Sequence, residues 1–249
     1  MKGKDSICVA LDVDNLEAVS ELVESLAPHV GSFKIASELG ISIGAPQAVR
    51  FVAQRKGGSF LDLKFHDIGN QVRKSVLAAT RLSGIRMLNL HCGGGTAMMK
   101  AAVKGRDEGA AKHGDRPLLI GVTVLTTLDA PALVEIGFPP GTTPEWLAIN
   151  FARLAKDCGL DGVVASAQEA KKIRFMTGPD FLIVTPAIRP PWATWIPEDD
   201  QKRSTTHIEA VQAGANIVVV GRPVLNSPDP VATVLRMAEE MDEASAATA

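Results

Sequence analysis

The segment LDLKFHDIGN, residues 61–70, has the pattern of a buried strand that carries charges. Leu61, Leu63 and Phe65 alternate with Asp62 and Lys64, and this period of two predicts a β-strand with the acid and the amine on one face. Burying a charge is costly unless it is paired. For an isolated Asp-x-Lys a structural ion pair is the simpler interpretation, so the rest of the chain must decide between a structural network and a functional site.

Seven other short apolar segments resemble this strand, and segments with helical periodicity separate them, such as 15–29, 71–84 and 143–159. The eight predicted strands cover 7–13, 32–37, 59–65, 86–91, 117–125, 161–166, 180–186 and 216–221. Strands that alternate with helices form parallel sheets, and near-continuous apolar strands indicate burial on both faces. Eight such units predict a single-domain α/β protein, a (β/α)8 TIM barrel over residues 1–249 with a frayed tail at 244–249. A doubly wound open sheet is the alternative, but no GxGxxG follows the first strand.

Polar side chains recur at the carboxyl ends of the predicted strands. They are Asp12, Lys34, Asp62, Lys64, Asp67, His91, Thr123, Thr126, Arg189 and Arg222. Strand ends are generally less buried and therefore more polar, but a lysine inside a strand is unusual for a structural cap. Because all strand ends of a barrel meet at one rim, where barrel active sites lie, this pattern predicts a charged site there.

Composition excludes several classes of protein. Apolar residues make up 46% of the chain and the net charge is −2, which gives no electrostatic footprint for nucleic acid. No apolar run approaches membrane-spanning length, and three scattered cysteines without CxxC spacing argue against a disulfide framework or a zinc site. We therefore expect a cytoplasmic protein with no membrane or nucleic-acid partner. The KGRDEG run (104–109) and His207 are expected on the solvated surface.

Eight motifs along the chain resemble the orotidine 5′-phosphate decarboxylase family. In order they are ALDV, FKIASELG, LDLKFHDIGN, VTVLTT, SAQEA, TPAIRP, DDQKR and VVVGRPV. The resemblance implies a homodimeric barrel that converts orotidine 5′-monophosphate to uridine 5′-monophosphate and carbon dioxide in de novo pyrimidine biosynthesis. It also implies that the reaction uses no cofactor and no metal.

The resemblance assigns roles to the charged residues. Lys64 would donate the proton to C6 of the pyrimidine, and Asp62 would lie beside the departing carboxylate. Lys34 and Asp67 would complete an alternating charge array, with Asp67 contributed across the dimer interface.

The resemblance also assigns substrate-binding roles. Asp12 and Lys34 would hold ribose hydroxyls, and Thr126 would contact the pyrimidine. The phosphate end would consist of Arg189, Gln201, Gly221 and Arg222. The segment 189–203 is the expected closing loop, and its Trp192 and Trp195 are unfamiliar in the family pattern, as are Ala187 in place of Gly, Gln71 in place of Thr and His207 in place of Pro.

Two other functions remain open from the sequence. A magnesium-dependent sugar-phosphate decarboxylase or lyase could share the barrel and the DxKxxD motif, although such relatives are expected to carry an acid where Lys34 stands. A non-catalytic nucleotide-monophosphate binding protein is the second alternative. An intact array of buried charges argues against it, because such charges destabilise a protein that does not use them.

Overall fold

The computed structural model describes residues 3–195 and 203–247. Eight parallel strands form one closed barrel in sequence order, and β8 pairs with β1 through Val220 and Val9. The strands are β1 (Ile7–Ala10), β2 (Ser32–Ile35), β3 (Ser59–Phe65), β4 (Ile85–His91), β5 (Leu118–Val122), β6 (Gly162–Val164), β7 (Leu182–Thr185) and β8 (Ile217–Val220). The predicted barrel is therefore confirmed, and the open sheet is excluded because an open sheet has no pairing between its first and last strands.

Most strands end earlier than the sequence predicts. β1 stops at Ala10 rather than at residue 13, although the Leu11 amide still donates to the Lys34 carbonyl at 3.0 Å. Asp12 therefore lies just outside the ladder, whereas Lys34, Asp62 and Lys64 lie within their strands.

Eleven α-helices lie within the described residues. They are α1 (Leu16–Leu26), α2 (Ser37–Ser42), α3 (Ala45–Gln54), α4 (Gly69–Ala79), α5 (Gly95–His113), α6 (Ala130–Glu135), α7 (Pro144–Asp157), α8 (Ala167–Thr177), α9 (His207–Gln212), α10 (Arg222–Leu225) and α11 (Pro230–Ala246). Several begin at side chains that accept a backbone N–H of the first turn, and α9 begins with a capping box between Thr206 and Glu209. No helix of the described ranges is both long and apolar enough to cross a membrane.

Alternate strand residues form two apolar layers. Ile7 and Val9 pack into the large cluster shared with the helices, whereas Cys8, Ala10 and Phe60 belong to a second, smaller cluster. Ala10 and Phe60 of this second cluster also line the cavity described below. The apolar floor of the site is therefore built from the same strands that close the barrel.

Two surface predictions are wrong. Arg106, in the run expected to be solvated, is 2% exposed because it donates to Asp161 at 2.5 Å and to Asp107 at 2.8 Å. His207 is fully buried, with Nε2 2.6 Å from a carboxylate oxygen of Glu240. Helix α11 extends into the segment 244–249 as far as Ala246, and Ala244 is buried.

Candidate active site

One cavity of about 270 Å³ opens at the carboxyl ends of the strands. It brings together eight of the residues that the sequence nominates, which are Asp12, Lys34, Asp62, Lys64, Thr126, Arg189, Gly221 and Arg222. These residues come from β2, β3 and the segments that follow β1, β5, β7 and β8. Barrel closure is what makes them neighbours, because it joins the segment after β1 to the segment after β8.

An ionic chain crosses the floor of this cavity. Lys34 Nζ lies 3.2 Å from Asp12 Oδ1 and 3.4 Å from Asp62 Oδ2, and Lys64 Nζ lies 2.8 Å from Asp62 Oδ1. The side chains of Lys34 and Asp62 are only 13% and 8% exposed. Burial lowers the pKa of Lys34, but the carboxylates of Asp62 and Asp12 outweigh it and hold this pKa above its ordinary value. Lys34 is therefore a fixed cation between two acids.

Lys64 does not lie on a regular strand. Leu61 pairs with Leu88 and Phe65 pairs with Leu90, so four steps along β3 match two steps along β4. Within this bulge Lys64 has a φ of 48°, in the left-handed region that residues with a Cβ rarely adopt. Simple alternation predicts the shared face of Asp62 and Lys64 but not the bulge that aims the Lys64 amine at Asp62.

Asn89 holds this arrangement, and our sequence analysis missed it. It is fully buried in β4, its Nδ2 donates to Asp62 Oδ1 at 2.5 Å, and its Oδ1 accepts from the Lys64 backbone N–H at 2.8 Å. One side chain thus orients both the acid and the amine. The available signal was an asparagine between two leucines in the strand RMLNLH, since a buried amide needs hydrogen-bond partners.

Two arginines also line the cavity. Arg189 lies just after β7, where an isolated bridge joins Ile188 to Thr205, and its Nη1 donates to the Ile188 carbonyl at 2.9 Å. Arg222 begins α10 directly after Gly221. A Cβ added at Gly221 would lie 3.2 Å from Asp12 Oδ2, so this position accommodates a larger residue only if the acid moves.

Asp67 is the one nominated residue of the described ranges that does not line this cavity. Asp67 is exposed on the same rim, where its Oδ1 accepts from the Ile68 backbone N–H at 2.6 Å. Gln201 lies outside the described residues.

His91 ends β4 but does not line the cavity. Its ring is tilted against that of His66, with the centroids 5.3 Å apart. Burial, together with the nearby His66 and Lys64, lowers the pKa of His91 below its ordinary value despite the opposing effect of Asp62. His91 is therefore a neutral side chain at neutral pH and does not add a charge to the array.

The closed barrel and the ionic chain at its carboxyl rim define the class, a (β/α)8-barrel protein with an enzyme-like charged site. Within that class, the chain belongs to the orotidine 5′-phosphate decarboxylase / HUMPS family, whose family model matches residues 5–237. The resemblance drawn from the sequence motifs is thereby confirmed.

Named relatives cover nearly all of the chain. It is 45% identical to an orotidine 5′-phosphate decarboxylase of Moorella thermoacetica over 97% of this chain and 94% of that protein. It is 43% identical to one of Trichlorobacter lovleyi over 96% of both chains. Among solved structures, the orotidine 5′-phosphate decarboxylase of Lactobacillus acidophilus matches with a TM-score of 0.81 and 33% identity, covering 95% of this chain and 98% of that one.

Proposed function

We propose that this protein decarboxylates orotidine 5′-monophosphate to uridine 5′-monophosphate and carbon dioxide, in de novo pyrimidine biosynthesis and without a cofactor. The observation that carries the proposal is the ionic chain, in which the Lys64 amine lies 2.8 Å from the buried Asp62 carboxylate at the floor of the cavity. This arrangement offers a fixed proton donor beside a fixed negative charge.

The proposed chemistry needs both groups. When the bond between C6 and the carboxylate breaks, its electron pair stays on C6 as a localised carbanion. The Lys64 ammonium stabilises that charge and then transfers its proton to C6, and the resulting amine regains a proton from water. Asp62 would lie beside the substrate carboxylate, where its charge disfavours the bound anion more than it disfavours neutral carbon dioxide.

The remaining residues of the cavity suit the other parts of the nucleotide. Asp12 and Lys34, joined at 3.2 Å, can bind ribose hydroxyls as acceptor and donor. Arg189 and Arg222 supply the positive charge that a phosphate requires, next to Gly221. Thr126 lies on the same cavity wall and would contact the pyrimidine.

We also propose that two copies of the chain share their active sites, in the cytoplasm, with Asp67 completing the partner's array. The exposed position of Asp67 outside its own cavity supports this, as do two exposed apolar side chains, one of them next to Asp67 in the sequence. Ile68 is 70% exposed, and Ile41 of α2 is 84% exposed. Exposed branched residues of this kind are typical of surfaces that pair.

The magnesium-dependent alternative fits the site less well. Lys34 already places a cation between Asp12 and Asp62, the two carboxylates that would otherwise attract a divalent ion. Turnover of orotidine 5′-monophosphate that survives EDTA would exclude this alternative, and turnover itself would exclude a purely nucleotide-binding protein.

The direct test follows the loss of orotate absorbance with the wild type, Lys64→Ala and Lys56→Ala. Lys56 is a matched control because it also has a positive φ, 60°, but does not line this cavity. We expect Lys64→Ala to lose about a thousandfold or more in kcat, because it removes both proton donor and electrostatic partner, while Lys56→Ala retains wild-type turnover. Near-normal turnover by folded Lys64→Ala protein would refute the proposed role.

The shared site is tested by mixing inactive variants. Lys64→Ala and Asp67→Ala homodimers should each be nearly inactive, but a mixed dimer contains one doubly altered site and one intact site. After random exchange of equal amounts, about a quarter of the wild-type sites should return. If differently tagged chains form heterodimers and activity stays at background, Asp67 acts within its own chain.

A further inference from the structure

A cluster of polar and aromatic side chains lies outside the cavity, on the chain that leads away from Arg189. We call it the Glu240 cluster; it consists of Trp192, Trp195, His207, Arg236 and Glu240. Glu240 Oε2 accepts from Trp192 Nε1 at 3.0 Å and contacts His207 Nε2 at 2.6 Å, while its Oε1 accepts from Arg236 Nε at 2.8 Å. The Arg236 guanidinium also lies 4.3 Å from the centre of the Trp192 ring.

The hydrogen bonds of the cluster keep Glu240 ionised. Burial raises its pKa, but the hydrogen bonds from Arg236, Trp192 and His207 together hold the pKa below its ordinary value. Glu240 is thus a carboxylate at neutral pH, and a hydrogen bond to a charged acceptor is stronger than one between neutral groups. The Trp192 indole is firmly tied to α11.

Trp195 extends the cluster to the phosphate end of the cavity. Its Nε1 donates to the Pro223 carbonyl at 3.0 Å, and its ring lies 6.1 Å from that of Trp192. Pro223 directly follows Arg222 in α10. The Trp195 hydrogen bond therefore joins the backbone that carries Arg222 to the segment that carries Arg189.

A second contact brings His207 into the same unit. The Arg189 backbone N–H donates to the Thr205 carbonyl at 2.8 Å, two residues before His207. The backbone next to each cavity arginine is therefore hydrogen-bonded to the Glu240 cluster or to the segment that leads into it. Trp192, Trp195 and Glu240 do not themselves line the cavity.

We infer that Trp192, Trp195 and Glu240 are positioning residues for the phosphate end of the site, an inference that rests on the proposed function. Holding the two arginine-bearing segments together reduces the ordering that phosphate binding would otherwise require. The cluster thus makes the remote helix α11 part of the apparatus that recognises a phosphate monoester, without contact to the substrate.

The first test compares Trp195→Phe with the control Trp146→Phe, whose indole is 58% exposed on α7. Steady-state turnover is measured with orotidine 5′-monophosphate and with orotidine, which lacks the phosphate. Trp195→Phe keeps a ring but loses the N–H, so we expect about a fivefold lower kcat/KM for the monophosphate and unchanged turnover of orotidine. Glu240→Gln should show the same selectivity, and Trp146→Phe should change neither substrate.

A merely structural role would lower kcat/KM equally for both substrates. That result, or an unchanged kcat/KM for both substrates, would overturn the inference. These outcomes differ from failure of the proposed function, in which the wild type itself would not turn over the monophosphate.

A second measurement needs no turnover. The chain has three tryptophans, so Trp146→Phe leaves only Trp192 and Trp195 as reporters. Titration with uridine 5′-monophosphate should change their fluorescence, and uridine at the same fractional saturation, established by calorimetry, should leave it nearly unchanged. Equal responses to the two ligands, or no response at saturation with the monophosphate, would contradict the coupling between the cluster and the phosphate end.

Discussion

Replacing Asn89 by alanine tests whether this buried amide organises the catalytic pair. The substitution removes two hydrogen bonds, one to the Asp62 carboxylate at 2.5 Å and one from the Lys64 backbone N–H at 2.8 Å. A bond to a charged group contributes about 1.5–3 kcal/mol and a neutral one about 0.5–1.5 kcal/mol, so we expect the free energy of unfolding to fall by about 2–4 kcal/mol.

The effect on activity should exceed what stability alone explains. Lys64 holds a strained φ of 48°, and Asn89 is the side chain that accepts its backbone N–H. A displacement of the Lys64 amine by about 1 Å is enough to cost about a hundredfold in rate, so we expect kcat of the folded Asn89→Ala protein to fall by about tenfold to a hundredfold. KM for the substrate should change much less, because Asn89 hydrogen-bonds to Asp62 and Lys64, the residues assigned to the chemical step.

Urea unfolding followed by circular dichroism gives the stability, and turnover at a concentration where the variant is fully folded gives kcat. Asn150→Ala is a matched control, since Asn150 of α7 donates to the Trp146 carbonyl at 2.8 Å in an exposed hydrogen bond. The free energy of unfolding of Asn150→Ala should fall by less than about 1 kcal/mol, and its turnover should equal that of the wild type. Asn89→Asp provides a second probe, because it keeps the acceptor for Lys64 but sets a carboxylate against Asp62. If Asn89→Ala has the same urea midpoint of unfolding as the wild type and the same kcat, the organising role is refuted.

Three further predictions concern other parts of the site. Arg222→Ala should weaken binding of the monophosphate in kinetic assays by about tenfold or more yet be nearly silent with orotidine, and comparable damage to both substrates would indicate a structural role instead. Ala187→Gly should raise the free energy of urea unfolding by about 0.5–1 kcal/mol, because Ala187 has a φ of 64° that glycine adopts without strain; a loss of stability would contradict this. Burial lowers the pKa of His207 below 6.5, so as the pH falls through 6.5 the unfolded chain binds a proton that the folded chain refuses, and stability falls toward acid. When the pH is lowered from about 7.5 to about 5.5, the free energy of unfolding measured with urea should therefore fall by up to about 1 kcal/mol less in His207→Gln than in the wild type. The same pH dependence in both proteins would contradict this.

The barrel could be predicted because its determinants are local. A short apolar run marks each strand, and a polar side chain marks most strand ends, as Asp12 and Lys34 show. Right-handed connection of parallel strands leaves few ways to arrange eight such units, and closure then brings the strand ends together. The cavity lining, from Asp12 to Arg222, follows from that closure alone.

The surface predictions failed for a different reason. Arg106 sits in a run of charged residues that looks solvated, yet Asp161 arrives from the loop before β6 and pairs with it in the interior. His207 is buried by Glu240 of α11 in the same way. Arg106 and His207 are buried because each meets an acid far along the chain, Asp161 and Glu240 respectively, which no local sequence pattern records.

By itself, the sequence determined the number and order of the strands, the rim that carries the charges and the family to which the chain belongs. Only the tertiary structure decided how those charges meet: the bulge that turns Lys64 toward Asp62, the Asn89 side chain that hydrogen-bonds to both, and the Glu240 cluster that joins the segments after Arg189 and Arg222. Periodicity reflects the steric geometry of a single strand or helix, which neighbouring residues set. The direction of a buried amine depends on how two strands register and which distant side chains offer it a hydrogen bond, and those terms exist only once the barrel is closed.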